Sequence, residues 1–185
     1  MADIHVRCSW CGKDKAYQKY HDLEWGVPCR DDKKLFEFLI LESAQAGLSW
    51  LTILRKRDNY RLAFADFDVE VVSKFSDQDK QRLMQDLGIV RNRLKIESVI
   101  TNAQCFLEVQ KEAGSFSNYL WSYFSNKSIV NCWIKEDKIP VSTPISQKIS
   151  KDMKRRGFKF FGATTCYAYL QAMGLVNDHV LGCFR

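Results

Sequence analysis

An all-α architecture in one domain is the expectation for this chain, and three observations carry it. Apolar residues recur at the i, i+3, i+4 spacing of an amphipathic helix along most of the sequence. These stretches begin at Ser, Thr, Asp or Asn and end at glycines, which are the usual helix start and stop signals. Period-two alternation over strand length is nearly absent, with residues 127–134 as the weak exception. The 185 residues are enough for one core, and 46% hydrophobic with 27% charged residues is ordinary globular composition.

Residues 1–31 read as an irregular segment dense in Cys, His, Trp, Tyr and charge, with Pro28 near its end. Asp32 is the expected N-cap of a helix that runs to Ala46 and stops at Gly47. On its face Leu35, Leu39, Glu42 and Ala46 align, with Phe38 beside them. Glu37 lies opposite, where a solvated carboxylate belongs. Ser49 opens a helix with Trp50, Ile53, Leu54 and Tyr60 on one side. Ser76-Asp77-Gln78-Asp79 resembles a capping box ahead of Leu83, Met84 and Leu87, with Gly88 as the stop. The run 92–113 repeats Ile96, Val99, Ile100, Ala103, Phe106 and Leu107 and ends at Gly114. A short aromatic helix is expected over 116–124, then a polar, turn-rich stretch over 125–141. Ser142-Thr143-Pro144 is a helix start with proline in the first turn, leading to Gly157. The last helix spans 163–173 and ends at Gly174.

Charge and composition bound the function. A net charge of +6 permits an anionic partner without requiring one. The N-terminus lacks the pattern of a signal peptide, and no apolar run approaches the ~20 residues of a membrane span. A cytoplasmic protein with no membrane partner is expected. Seven cysteines, an odd number without an export signal, argue for reduced thiols rather than a disulfide framework.

Four sets of residues are candidates for chemistry. Glu42 sits within an apolar helix face, so it is either paired at the edge of the core or aimed into a cavity. The sequence leaves both open. Cys8 with His21, and His179 with Cys183, form two ligand-like pairs at opposite ends of the chain. Together they make a tetrahedral set suited to zinc that would join the termini. Cys11, in Cys8-Ser9-Trp10-Cys11, and His5 remain competing ligands. From Lys148 to Lys159 the chain carries Lys148, Lys151, Lys154, Arg155, Arg156 and Lys159 against Asp152. A glycine-bounded turn, Gly157 to Gly162, and a new helix at Ala163 follow. Such a helix start aims backbone N–H groups at a phosphate. Finally Trp10, Tyr17, Tyr20 and Trp25 crowd the first segment, and Trp50 follows Glu42 by two turns. Aromatic faces beside one carboxylate suit a flat cationic ligand.

The chain resembles the 3-methyladenine DNA glycosylase I family, a bacterial branch of the helix-hairpin-helix glycosylases. The stretches that carry the resemblance are Arg7-Cys8-Ser9-Trp10, Tyr20-His21-Asp22-Leu23-Glu24-Trp25-Gly26-Val27-Pro28, and Leu41-Glu42 through Ser49-Trp50. Toward the end they are Lys154-Arg155-Arg156-Gly157-Phe158-Lys159-Phe160 and Gly174-Leu175-Val176-Asn177-Asp178-His179. The resemblance implies a single glycosylase domain over 1–185, with a helix-hairpin-helix at about 144–173 and residues 1–31 packed against 174–185. It implies one structural zinc per chain on Cys8, His21, His179 and Cys183. It places Glu42 in a base-binding pocket with Tyr20, Trp50, Trp10 and Trp25 and makes it the candidate catalytic residue, leaving open whether it only reads the base or also helps break the bond. Leu48 would wedge into the duplex, and Arg155, Arg156, Gly157, Lys159, Gly162 and Ala163 would bind DNA.

The activity implied is hydrolytic release of 3-methyladenine from double-stranded alkylated DNA after base flipping, by a monomer. Relatives that also cut the strand place a lysine just after the second hairpin glycine. Thr164 stands there, so no strand cleavage is expected. Asp178 is a minor catalytic candidate by the same analogy. The alternative expectation is a zinc-stabilised module that binds DNA lesions without catalysis.

Overall fold

The structure is a computed structural model, and it describes residues 6–185. In chain order its helices are α1 (Lys15–Leu23), α2 (Asp32–Ala44), α3 (Trp50–Ala63), α4 (Val69–Val72) and α5 (Asp77–Gln85). Then come α6 (Arg93–Ala113), α7 (Phe116–Ser122), α8 (Pro144–Arg155) and α9 (Ala163–Ala172). Two short strands, β1 (Ile129–Val130) and β2 (Val176–Asn177), pair in parallel. The fold is thus mostly helical, as expected, and β1 falls inside the stretch whose alternation was the exception. Among the described residues no helix is long and apolar enough to cross a membrane.

Helix α2 is the centre. Every residue from Leu35 to Ala44 is buried, and such a helix needs partners on all sides. It finds them in α3, α6, α7 and α9. Several of these begin where the sequence signals a cap. Ser49 accepts from the Thr52 amide, Asn92 from Lys95, and Thr143 and Ser146 form a reciprocal capping box. The Ser76–Asp79 box is also present, although α5 ends at Gln85 and leaves Met84 and Leu87 exposed.

Four local expectations need correction. Residues 1–31 are not wholly irregular, because α1 forms there, capped by Asp14 and burying Tyr20 and His21. Its inward face is polar and aromatic, so apolar periodicity does not reveal it. The N-cap of α2 is Asp31, not Asp32. The Asp32 carboxylate instead reaches the start of α7, accepting from the amides of Phe116 at 2.9 Å and Ser117 at 2.8 Å. Helix α2 ends at Ala44, and Ala46 is exposed. Glu37 is not solvated. It is 6% exposed and accepts from Arg57 Nε and Arg61 Nε, each at 2.8 Å. Neutralisation by two guanidinium groups is what allows a second acidic residue inside this helix.

The two ends of the chain meet beside α2 and α9. The Gly26 amide donates to Gln171 O at 2.9 Å and the Cys29 amide to Met173 O at 3.0 Å. Gly174 has φ +66°, and a Cβ there would lie 2.1 Å from the Val27 carbonyl carbon. Only glycine lets the last turn approach the first segment this closely.

Candidate active site

Glu42 lies in the last turn of α2, where the buried helix reaches an open cavity of about 330 Å³. The walls include Trp10, Tyr17, Tyr20, Trp25 and Trp50, with Gln45, Glu136, Ile139 and Gln171. The ring centroids of Tyr20 and Trp50 are 5.4 Å apart, and those of Trp10 and Trp25 are 4.9 Å apart. Phe38 supports the floor, 6.1 Å from Tyr20 and 6.0 Å from Trp50. The structure therefore brings together Glu42 and the four aromatic residues expected around it.

The Glu42 and Trp50 side chains line this cavity without a hydrogen-bond partner among the described residues. Glu42 is 5% exposed, and burial alone pushes its carboxyl up to about 8. Trp50 Nε1 is buried without a hydrogen-bond partner among the described residues. An unpaired buried donor costs roughly 1–3 kcal/mol. A carboxyl at the edge of one aromatic cavity is therefore poised for a ligand with both a donor edge and a flat face.

The surrounding contacts hold these groups in place. Arg57 lies 4.8 Å from the Phe38 ring and bridges Glu24 and Glu37, with Nη1–Oε1 2.8 Å to Glu24. Burial opposes the Arg57 charge, but its bonds to Glu37 and Glu24 more than offset this and raise it above the usual guanidinium range. Across the cavity, Glu136 accepts from the Ser9 amide and, at 2.6 Å, from the Ser9 hydroxyl. That clamp fixes the Ser9–Cys11 turn and with it Trp10. Glu136, Ile139 and Gln171 were not foreseen. They come from a turn-rich segment and a late helix, and no local pattern marks them as neighbours of Glu42.

Cys8, His21, His179 and Cys183 converge, with their ligand atoms all within 4.8 Å of one another. Cys183 Sγ is 3.4 Å from His21 Nε2 and 3.3 Å from His179 Nδ1, and Cys8 Sγ is 3.6 Å from the same Nδ1. The remote nitrogens are already engaged. His21 Nδ1 is 2.8 Å from Asp22 Oδ1, and His179 Nε2 is 3.1 Å from Trp25 O. Metal-bound imidazoles are oriented in this way. Burial lowers both histidines, His179 to about 4, which keeps them neutral as ligands must be. The donor set thus fits a tetrahedral zinc. Cys11 is outside it, with its thiol on Cys8 O at 3.2 Å, and His5 lies outside the described residues.

The remaining candidates, Asp178 excepted, lie at or near the surface. Leu48 is 41% exposed on the turn after α2, where Gly47 has φ +80°. Helices α8 and α9 are joined by the turn 156–162, which carries Gly157, Lys159 and Gly162. Ser150 Oγ donates to Phe161 O at 2.8 Å and so ties that turn to α8. No side chain caps α9 at Gly162, which leaves the first amides, from Ala163 onward, open to an outside acceptor. Arg155 is exposed and pairs with Asp152. Arg156 is more committed, bonded to Asp152 at 2.8 Å and Glu112 at 2.6 Å. Asp178 is fully buried and accepts from Asn131, Trp133, Tyr167 and Gln171 at 2.6–2.7 Å. With four donors on it, that carboxylate is a structural hub and not a free base.

The family profile described as methyladenine glycosylase matches residues 10–185. DNA-3-methyladenine glycosylase 1 of Escherichia coli K12 is 48% identical over 177 residues, covering 96% of this chain and 95% of its own. A crystal structure of 3-methyladenine DNA glycosylase I gives a TM-score of 0.94 at 47% identity, over 97% of this chain and 98% of that one. A variant of 3-methyladenine DNA glycosylase I, solved in complex with 3-methyladenine, gives a TM-score of 0.94 at 40% identity. That match covers 96% of each chain.

The environment of Glu42 has a consequence for stability. Its folded value is raised from 4.5 to about 8, so across that window the native state holds a proton that the unfolded chain has lost. Stability contributed at this site is full below the unfolded value and falls as pH rises toward the folded one. Glu42→Gln removes the titration. In thermal melts the variant is expected to gain on the native protein between about pH 5 and about pH 8, by on the order of a few kcal/mol. A difference that does not change with pH would contradict the assignment.

Proposed function

The chain belongs to the methyladenine glycosylase family, and from that premise we propose how its residues excise 3-methyladenine from alkylated DNA. The protein is a DNA-3-methyladenine glycosylase of base-excision repair. It hydrolyses the N-glycosidic bond, releases the free base and leaves an abasic site. The observation that carries the mechanism is the desolvated Glu42 carboxyl, without a hydrogen-bond partner among the described residues, on an aromatic cavity lined by Tyr20 and Trp50.

Methylation at N3 makes adenine cationic while it is still joined to the sugar, and so a good leaving group. Little acid catalysis is required, and the enzyme gains most by holding the cation and its oxocarbenium-like transition state. With the cavity free of base, burial keeps Glu42 neutral. Entry of the cationic base favours the carboxylate, which accepts from the exocyclic amine and stabilises the developing positive charge. Tyr20 and Trp50 stack on the extruded base, and Trp10 and Trp25 close the wall behind them. Water then attacks the sugar. Ala163 and Thr164 follow Gly162, with no lysine to form a covalent adduct, so the product is an abasic site in an uncut strand.

Extrusion needs a wedge and a grip on the backbone. Leu48, on its exposed turn, fills the gap in the duplex. The α8–turn–α9 unit acts as the helix-hairpin-helix, presenting Gly157, Lys159, Gly162 and Ala163 to a phosphate with the α9 amides behind them. Arg155 adds charge, while Arg156 mainly braces the turn. Zinc bound by Cys8, His21, His179 and Cys183 supplies a structural staple between the termini, and so seats Trp10 and Trp25.

Two experiments test this reading. Methylated DNA incubated with the protein is expected to yield 3-methyladenine by chromatography, and Glu42→Ala to lose most of that peak. Release no greater than from the variant would contradict it, and binding without release would favour a lesion-binding module. Metal analysis is expected to find about one zinc per chain, as one closed site requires. Cys183→Ser should lose it and Cys11→Ser retain it. The opposite pattern would refute the ligand set.

A further inference from the structure

Helix α6 touches both surface features assigned to DNA, at two points on one face. Near its start, Lys95 Nζ donates to Ala44 O at 2.9 Å and Ala46 O at 2.7 Å. These carbonyls end α2 and begin the turn that carries Leu48. Further along, Asn102 is fully buried and makes a paired contact with the backbone of Lys159. Its Nδ2 donates to Lys159 O at 3.1 Å, and its Oδ1 accepts from the Lys159 amide at 2.8 Å. Lys95 and Asn102 are two helical turns apart, about 10.5 Å along the axis at 1.5 Å per residue. Between these points the helix, with Lys159 and Phe160, borders an open groove of about 340 Å³.

These contacts are specific in kind. Helix ends leave carbonyls unpaired, and a cation there also meets the negative end of the helix dipole. One ammonium group thus closes the end of the helix that bears Glu42 and pins the turn that bears Leu48. The Asn102 amide uses both its donor and its acceptor on one backbone residue, which fixes the turn 156–162 in distance and in orientation. The two turns share no hydrogen bond among the described residues, so α6 is their common support.

We infer that α6 is a ruler, with Lys95 and Asn102 as positioning residues that set the Leu48 turn and the phosphate-binding turn at the spacing a distorted duplex requires. The inference rests on the proposed roles of Leu48 and the α8–α9 turn. Extrusion from a duplex demands that wedge and backbone grip act together, and a displacement near 1 Å is enough to separate them. Excision from a flexible single strand makes no such demand, since there is no stacked partner strand to displace.

The test is single-turnover excision of 3-methyladenine from duplex and from single-stranded methylated oligonucleotides, by Lys95→Met, Asn102→Ala and Lys95→Arg. Binding of free 3-methyladenine, by titration of tryptophan fluorescence, reports that the cavity is folded. Duplex excision is expected to fall about tenfold or more in Lys95→Met and Asn102→Ala, with single-strand excision and free-base binding within about twofold of the unaltered protein. Lys95→Arg, which keeps a cationic donor on the carbonyls, is expected to restore most duplex activity. Equal loss on both substrates, or undiminished duplex excision, would overturn the ruler and leave the glycosylase reading intact. Excision from neither substrate by the unaltered protein would overturn that reading, and the ruler with it.

Discussion

A carboxyl group taken out of water with no partner is the constraint around which this molecule is arranged. Burying Glu42 is tolerable only because the group stays neutral while the cavity is free of base. The burial follows from α2, which is packed on every side and brings its last turn to the cavity. Aromatic walls flank it there, and Glu136 holds one of them through the Ser9 turn. A site of this kind discriminates by charge. In the mechanism proposed, a neutral base would leave the carboxyl protonated, whereas a cationic one would draw the carboxylate out and be held by it.

Glu37 and Glu42 show how one helix uses two buried acids differently. Glu37 is paired with Arg57 and Arg61, and its charge is spent inside the protein. Arg57 in turn lies on the ring of Phe38, which underlies Tyr20 and Trp50. The paired acid therefore stiffens the floor beneath the unpaired one. The Cys/His cluster does the same for the wall, since His179 Nε2 is held by the carbonyl of Trp25 and His21 lies 5.2 Å from Trp10. The Cys/His cluster and the Glu42 cavity thus share their supports.

Much of this was legible in the chain. Caps at Ser49, Ser76, Asn92 and Thr143 and the 3.6-residue period located most helices, because these signals are local. Glu42 was legible as an acid within an apolar stripe, and the four metal candidates by their spacing and residue types. Other features depend on partners distant in sequence. Glu37 looked solvated because its neutralising guanidinium groups sit on α3, and Asp32 looked like a cap for its own helix because α7 lies 84 residues later. Helix α1 hides a polar inner face, and the left-handed backbone of 65–67 has no glycine to mark it. The Glu136 clamp, like the grips of Lys95 and Asn102, joins a side chain to distant backbone, which periodicity does not record.

The central claim is that Glu42 is held neutral by burial and is ionised by the cationic base. The most direct measurement is a carbon-13 NMR titration of the Glu42 side-chain carboxyl, assigned by Glu42→Gln, with and without a 3,9-dialkyladeninium ion as the base mimic. The account predicts a midpoint near 8 in the free protein and a marked fall when the ion is bound. A midpoint in the ordinary glutamate range that is indifferent to the ion would contradict it.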